Sequence, residues 1–401
     1  MGAILSTTVN ALPPLHDILL PTPEVYQTLL NIFQYFPLVT VAQWLTSWHP
    51  AGKTSTTSYL NLPGRLAWFT MEIIGPINLL YILTNLPPEL NMQTLPLPNK
   101  LVASLYVIHY INRAIISPFF AAPSMSPIHA FVMASAMLFN WFNSSCLACW
   151  LVGYNVATIP GYYYPPPLST ETILSETLTS KTTTATSLFL PSLGLALFTL
   201  GMAGNILAER TLFSLRRKEA DKQARKDEPQ AAASHSSPSP SEKPQPRPNK
   251  YHKVYVIPPP QGLFASILYP HYLCEWLEWT GFALLGTAVF PTLSAPGMGM
   301  LGLSSGTGAN MPQGFSAGSA MAPGASPSTP TLRLAPWLVP AVYLAERLRV
   351  PFLPLPAMVF VVNAVANMLP HARWGRKWYV ERFGEGKVAG RGAVVPFVSW
   401  L

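Results

Sequence analysis

The sequence predicts an all-α, polytopic membrane protein folded as a bundle of seven transmembrane helices, and three observations carry that expectation. Hydrophobic residues make up 49% of the 401 and charged residues only 10%, against the ~25% charged residues of a soluble globular domain. Folding in water would leave such a chain with too little polar surface. Apolar runs recur at lengths near the ~20 residues a helix needs to cross a hydrocarbon core. The runs lack the two-residue alternation of barrel strands, and in lipid every backbone polar group must bond internally.

In chain order the expected spans are residues 25–47, 66–86, 101–117, 128–154, 188–208, 263–290 and 352–369. The apolar piece 334–345 is too short to cross and carries Pro336 and Pro340, so it is expected to be re-entrant or interfacial. No Lys or Arg precedes Lys53, whereas basic residues crowd the stretch from Arg210 to Lys253 and the tail from Arg373 to Arg391. The positive-inside rule places both blocks, and so the C-terminus, in the cytoplasm. An odd number of spans then puts the N-terminus on the other side; Arg333, Arg347 and Arg349 run against this scheme. The whole chain, 1–401, reads as one membrane domain. It has two inserts: 222–250, polar and proline-rich, expected to be a disordered cytoplasmic loop, and 292–330, rich in Gly, Ser, Ala, Met and Pro, expected to be a flexible loop.

Several function classes are set aside. The net charge of +8 comes from blocks beside apolar segments, which suits a bilayer surface better than a nucleic acid. Three cysteines make no disulfide framework, and the Cys146/Cys149 CxxC lies in an apolar helical run without a second ligand pair, so both read as small core residues. His49, His129 and His252 have no partners at metal-ligand spacing, and no metal is expected. The N-terminus lacks a basic region and is interrupted by Asp17 and Glu24, so no cleavable signal peptide is expected; the opening Met1-Gly2-Ala3-Ile4-Leu5-Ser6 fits a myristoylation pattern by chance.

The residues that point to chemistry are those that do not belong in lipid. Glu72, His109, Tyr110, Arg113, Asn205, Glu209, Glu275 and Glu278 lie in or at the ends of apolar runs, where a charge costs roughly 2.5–3.5 kcal/mol even on lenient insertion scales. They imply a buried polar site between helices. Glu278 lies three residues after Glu275, on nearly the same face, and reads as a brace. Arg217 and Lys218 read as anchors reaching the headgroups, and Trp48, Trp150 and Trp400 as interfacial or packing residues.

Four blocks together resemble the steroid 5α-reductase family. They are Trp68-Phe69-Thr70-Met71-Glu72; His109-Tyr110-Ile111-Asn112-Arg113; Gly204-Asn205-Ile206-Leu207-Ala208-Glu209 running to Leu215-Arg216-Arg217-Lys218; and Tyr255-Val256-Ile257-Pro258 through to Glu275-Trp276-Leu277-Glu278-Trp279-Thr280-Gly281. A tail block, Lys377-Trp378-Tyr379-Val380-Glu381-Arg382-Phe383, completes the match, which covers most of the chain from about Gly52 onward.

The resemblance implies a seven-helix bundle of the endoplasmic reticulum membrane that holds NADPH in its C-terminal half, from about residue 188. Position by position, it implies that Asn205, Glu209, Arg216, His271, Glu275 and Tyr379 hold the nucleotide, with Arg113 contributing, and that Glu72 and Tyr110 do the chemistry. The residue types are apt: arginine offers a forked, permanently charged donor to phosphate, and carboxylates or amides hold ribose hydroxyls and a carboxamide. There is no GxGxxG after a strand, so a Rossmann site is not expected. The implied reaction is conjugate reduction of an enone lipid: hydride adds to the β-carbon, Tyr110 meets the carbonyl oxygen, and Glu72 is its partner or, if protonated, a second donor.

Met71, Glu209 and His271 stand where animal steroid enzymes carry glutamine, aspartate and asparagine, and His371, Arg373 and Gly375 also depart from them. Pro270-His271-Tyr272-Leu273 is closer to the polyprenol branch. The expected substrate is a 3-oxo-Δ4-steroid-like lipid, with polyprenal or enoyl-thioester reduction as alternatives and a transporter or lipid-binding receptor as the reading from another class. No obligate protein partner is evident.

Overall fold

A computed structural model describes residues 13–46, 52, 55, 57–154, 157–159, 184–234, 250–251, 254–289, 331–348, 353–396 and 398. The 292–330 insert, residues 235–249 of the other insert, the first six residues, His49, His252, Trp48 and Trp400 lie outside the described residues. The chain is mostly helical. Its described elements are α1 (Leu15–Leu19), α2 (Pro23–Phe33), α3 (Pro37–Leu45), β1 (Asn61–Leu62), α4 (Gly64–Glu89), α5 (Leu97–Tyr110), a π-helix (Ile111–Ala121), β2 (Ile128–His129), α6 (Ala130–Val152), β3 (Ala157–Ile159), α7 (Thr184–Ser234), α8 (Pro270–Leu285), β4 (Thr331–Arg333), α9 (Val339–Leu348), α10 (Leu355–Phe383) and α11 (Glu385–Val388). Two short ladders, β1 antiparallel to β2 and β3 parallel to β4, are the strands the helical pattern did not announce.

Among the described residues, four helices are long and apolar enough to cross a membrane: α4, α6, α10 and the Leu188–Lys226 part of α7. The other expected spans take different forms. The first, 25–47, is two helices, because Pro37 has no N–H for the Phe33 carbonyl four residues back and its ring would clash there. That carbonyl instead accepts Asn363 Nδ2 from α10 at 2.8 Å, along with the Phe36 N–H at 3.1 Å. At the break lies the fully buried Gln34, whose amide donates to the Arg333 carbonyl and accepts from the Ala335 N–H, each at 2.8 Å.

The third expected span is α5 running directly into the 11-residue π-helix. The sixth is the 16-residue α8 flanked by 3-10 turns. The 334–345 piece becomes a turn at residues 336–338 leading into the ten-residue α9, at ~1.5 Å per residue too short to cross.

Two helices outrun their expected ends. α10 passes Pro370 and reaches Phe383, held in register by Trp374 Nε1 donating to the Gln43 carbonyl at 2.7 Å and by Arg373 over the Trp44 ring at 5.4 Å. α7 continues to Ser234, into the stretch expected to be a loop; its Lys, Glu, Ala, Gln and Arg residues from 218 to 226 are good helix formers.

The core forms where α7 and α8 lie side by side and α8 meets α5 and α10. A Cβ on Gly201 of α7 would come within 2.4 Å of the Glu278 backbone nitrogen. Only glycine allows that approach, and it sets Glu278 deep in the bundle. Trp279, Tyr106, Phe198 and Phe282 are fully buried around it.

Candidate functional site

α4 brings Glu72 to the centre of the bundle at a point where the helix is weakened. Pro76, four residues on, cannot donate to the Glu72 carbonyl. Arg113, in the first turn of the π-helix, meets Glu72 with its Nε 3.3 Å from Oε1. Its Nη1 lies 3.5 Å from Glu275 Oε2 of α8 and 3.9 Å from Glu209 Oε1 of α7. The guanidinium sits over the Trp68 ring at 4.9 Å. One guanidinium thus serves three carboxylates drawn from three helices.

The π-helix is what aims Arg113. Its hydrogen bonds reach five residues back, and the N–H due at the Arg113 carbonyl belongs to position 118, a proline. The Trp68 indole donates to that carbonyl instead, at 3.0 Å. At the far end, Arg65 caps the π-helix: Nη1 donates to the carbonyls of Pro118 (2.6 Å) and Phe119 (3.2 Å), and Nη2 to those of Ala122 (2.9 Å) and Pro123 (3.3 Å). Ser117 of the same helix donates to Glu209 Oε2 at 3.0 Å.

Tyr110, the last residue of α5, is buried and donates to Asn140 Oδ1 at 2.9 Å. Asn140 Nδ2 donates to the Met71 carbonyl at 2.6 Å and lies 3.5 Å from Glu72 Oε2. Glu72 therefore faces donors at both oxygens, Arg113 at one and Asn140 at the other, which is the pattern of an ionised carboxylate. Beside Tyr110, His109 Nδ1 lies 2.7 Å from Glu278 Oε1.

The residues expected to hold a nucleotide fall into two groups. Asn205, Glu209 and Arg216 lie on one face of α7, and His271 and Glu275 on one face of α8. Asn205 Oδ1 and Glu275 Oε2 are buried without a hydrogen-bond partner among the described residues. Glu275 Oε2 still has Arg113 Nη1 at 3.5 Å as its ion-pair partner, so the Asn205 amide oxygen is the acceptor left for a donor of the kind a carboxamide or ribose hydroxyl supplies, and this part of the site fits the nicotinamide riboside half of NADPH.

Arg216 is already engaged: Nε donates to the Val254 carbonyl (3.1 Å), Nη1 to the Ser124 carbonyl (3.3 Å) and Nη2 to Ser124 Oγ (2.8 Å). Arg217 donates to the Ala121 carbonyl, so it is tied to the end of the π-helix and is more than a headgroup anchor. Tyr379 of α10 is buried beside Tyr269, ring centroids 6.2 Å apart, and His271 lies 5.6 Å from that same ring. Glu72, Tyr110, Glu209 and Glu275 thus join one network through Arg113 and Asn140, with Ser117 bracing Glu209, while Arg216, His271 and Tyr379 lie along the loops and aromatic cluster at its edge.

The chain matches no protein-family model. An uncharacterized protein of Schizosaccharomyces pombe is 28% identical to it over 246 residues, 58% of this chain and 72% of that protein.

Asn140 and Ser117 escaped the reading of the sequence because neither carries a charge. The signal was there for Asn140, which with Asn143 interrupts an apolar run as Glu72 does. Two open grooves lie elsewhere, along α7, one against Leu195 and Thr199 and one among Lys218, Asp221 and Lys222.

Proposed function

We propose that this protein is an NADPH-dependent membrane reductase that saturates a carbon–carbon double bond conjugated to the carbonyl of a lipid, in the manner of the steroid 5α-reductases. The observation that supports it best is the convergence of Glu72, Tyr110, Arg113, Glu209 and Glu275, from five helical segments, on one buried network. A merely structural polar core has no need of three carboxylates around one guanidinium. At an effective dielectric constant near 20, two like charges 4 Å apart repel by about 4 kcal/mol, so such a cluster gains from a ligand rich in donors.

In this reading α4, α6, α7 and α10 are joined by α2 with α3, α5 with the π-helix, and α8 to make seven spans of the endoplasmic reticulum membrane, the C-terminus facing the cytoplasm. Asn205 and Glu275 hold the amide and ribose donors of the nucleotide, with Glu209 beside them. Arg216 reaches the phosphates by exchanging its bonds to Ser124, and His271 and Tyr379 line the same end. When bound, NADPH supplies the hydride that the β-carbon of the substrate receives. Tyr110 donates to the carbonyl oxygen as negative charge collects there, which is where a fixed donor lowers the barrier most. Glu72, ionised between Arg113 and Asn140, orients the network instead of donating to the substrate. The proton for the α-carbon comes from water.

The test is incubation of membranes containing the protein with NADPH and a panel of 3-oxo-Δ4-steroids and polyprenals. The second class is included because of the Pro270-His271-Tyr272-Leu273 segment. Saturated product and NADPH consumption that both vanish in Glu72→Gln support the proposal. A purified, folded protein that neither binds NADPH nor reduces any of the panel refutes it and favours a transporter or lipid receptor.

A further inference from the structure

We infer that Asn140 is a positioning residue for Tyr110, one that holds the phenol's proton in the resting site and yields it to a substrate carbonyl. The catalytic half of this inference rests on the reductase reading; the hydrogen bond does not.

The argument begins at a backbone carbonyl. The Met71 carbonyl can only accept, and it lies 2.6 Å from the Asn140 amide. The side-chain atom there must be the NH2 group, so the atom facing Tyr110 must be the amide oxygen, and Tyr110 must be the donor in their 2.9 Å bond. Asn140 cannot turn over without breaking its bond to Met71, so Oδ1 faces Tyr110 permanently. The remaining amide hydrogen points towards Glu72 Oε2, 3.5 Å away. An amide that donates to a carboxylate becomes a better acceptor at its oxygen, so the chain from Tyr110 through Asn140 to Glu72 is polarised in one direction.

The phenol ring is fixed as well. Tyr106, His109 and Trp279 surround it at centroid distances of 4.6, 5.2 and 6.4 Å. Only the hydroxyl hydrogen is left to move, by rotation about the bond between Cζ and the oxygen. A neutral carbonyl competes with the Asn140 oxygen on nearly equal terms, whereas the anionic oxygen of the developing enolate wins, because charge-assisted hydrogen bonds are about twice as strong as neutral ones. Asn140 thereby keeps the donor in place but commits it mainly when charge develops. It touches neither substrate nor cofactor and acts wholly through Tyr110.

The test uses the full-length chain in detergent with tyrosine carrying 13C at Cζ. The Tyr110 resonance, identified by its loss in Tyr110→Phe, is expected to shift in Asn140→Leu. A Tyr110 resonance that does not move overturns the inference. Single-turnover reduction is then measured for the wild type, Asn140→Leu, Tyr110→Phe and the double variant. Asn140→Leu is expected to slow hydride transfer roughly ten- to a hundredfold with little change in NADPH affinity, and the double variant to be no slower than Tyr110→Phe. Multiplicative losses would mean that Asn140 acts on its own and sink the positioning role. If Asn140→Leu fails to fold, Asn140→Ser, too short to reach both partners, takes its place. A wild type inert towards every enone refutes the proposed function instead, and the resonance alone then decides whether Asn140 holds Tyr110.

Discussion

His109 and Glu278, 169 residues apart in sequence, meet at 2.7 Å with side chains only 5% and 0% exposed. The second oxygen of Glu278 is buried without a partner among the described residues. A pair withdrawn this far has spent its hydration on a single contact. Removing one member strands the other, which typically costs about 3–5 kcal/mol, whereas replacing both by apolar groups is often neutral.

His109→Ala is therefore expected to lower the stability of the detergent-solubilised protein by about 3–5 kcal/mol. The double variant His109→Leu/Glu278→Leu should recover most of that loss. Chemical denaturation of the three proteins measures it; equal instability of the single and double variants would mean that packing, and not the stranded carboxylate, sets the cost.

Tyr110→Phe and Glu72→Gln are expected to slow the hydride-transfer step by about a hundred- to a thousandfold, the usual loss when a transition-state donor or its support is removed. NADPH affinity should stay within a few-fold. Single-turnover rates and cofactor titrations on the same samples separate the two quantities, and near-normal turnover in a folded Tyr110→Phe would show that the carbonyl is activated elsewhere.

Asn205→Ala and Arg216→Ala should do the reverse and weaken NADPH binding before they slow chemistry. Arg216→Ala carries a second expected effect, because its guanidinium joins Ser124 to Val254. Amide hydrogen exchange across residues 122–127 should rise in Arg216→Ala and stay unchanged in Asn205→Ala.

The Lys/Arg asymmetry fixes a topology prediction. A reporter inserted near Ser237 or fused after Leu401 should be modified from the cytosol, and one at the N-terminus should not. Finding the N-terminal reporter in the cytosol would mean that the number of spans is even, with α2 and α3 failing to cross together.

What the sequence made legible was cost: Glu72, Arg113, Glu209 and Glu275 stood out because lipid penalises charge, and the structure gathers those four in one network. Neutral partners such as Asn140 and Ser117 carry no such penalty and stayed hidden. Helix continuity was misjudged for a related reason. Hydropathy averages over Pro37 and so fuses α2 with α3, and it falls off at the basic residues after Pro370 although α10 continues. The π-helix leaves no mark in composition, since a change from four-residue to five-residue bonding alters no side chain.

Two prolines leave more than a bend behind them. Pro37 leaves the Phe33 carbonyl open to Asn363, and Pro118 leaves the Arg113 carbonyl open to Trp68. In lipid, apolar faces hardly distinguish one neighbour from another, because the acyl chains are as greasy as leucine. A single acceptor with a lone pair to spare is then a socket that few side chains can plug. The imino acids of this bundle thus work as a wiring code, telling the Phe33 end of α2 to meet α10 and α4 to sit beside the π-helix. Pro118→Ala should let the helix close on itself and leave Trp68 with nothing to choose.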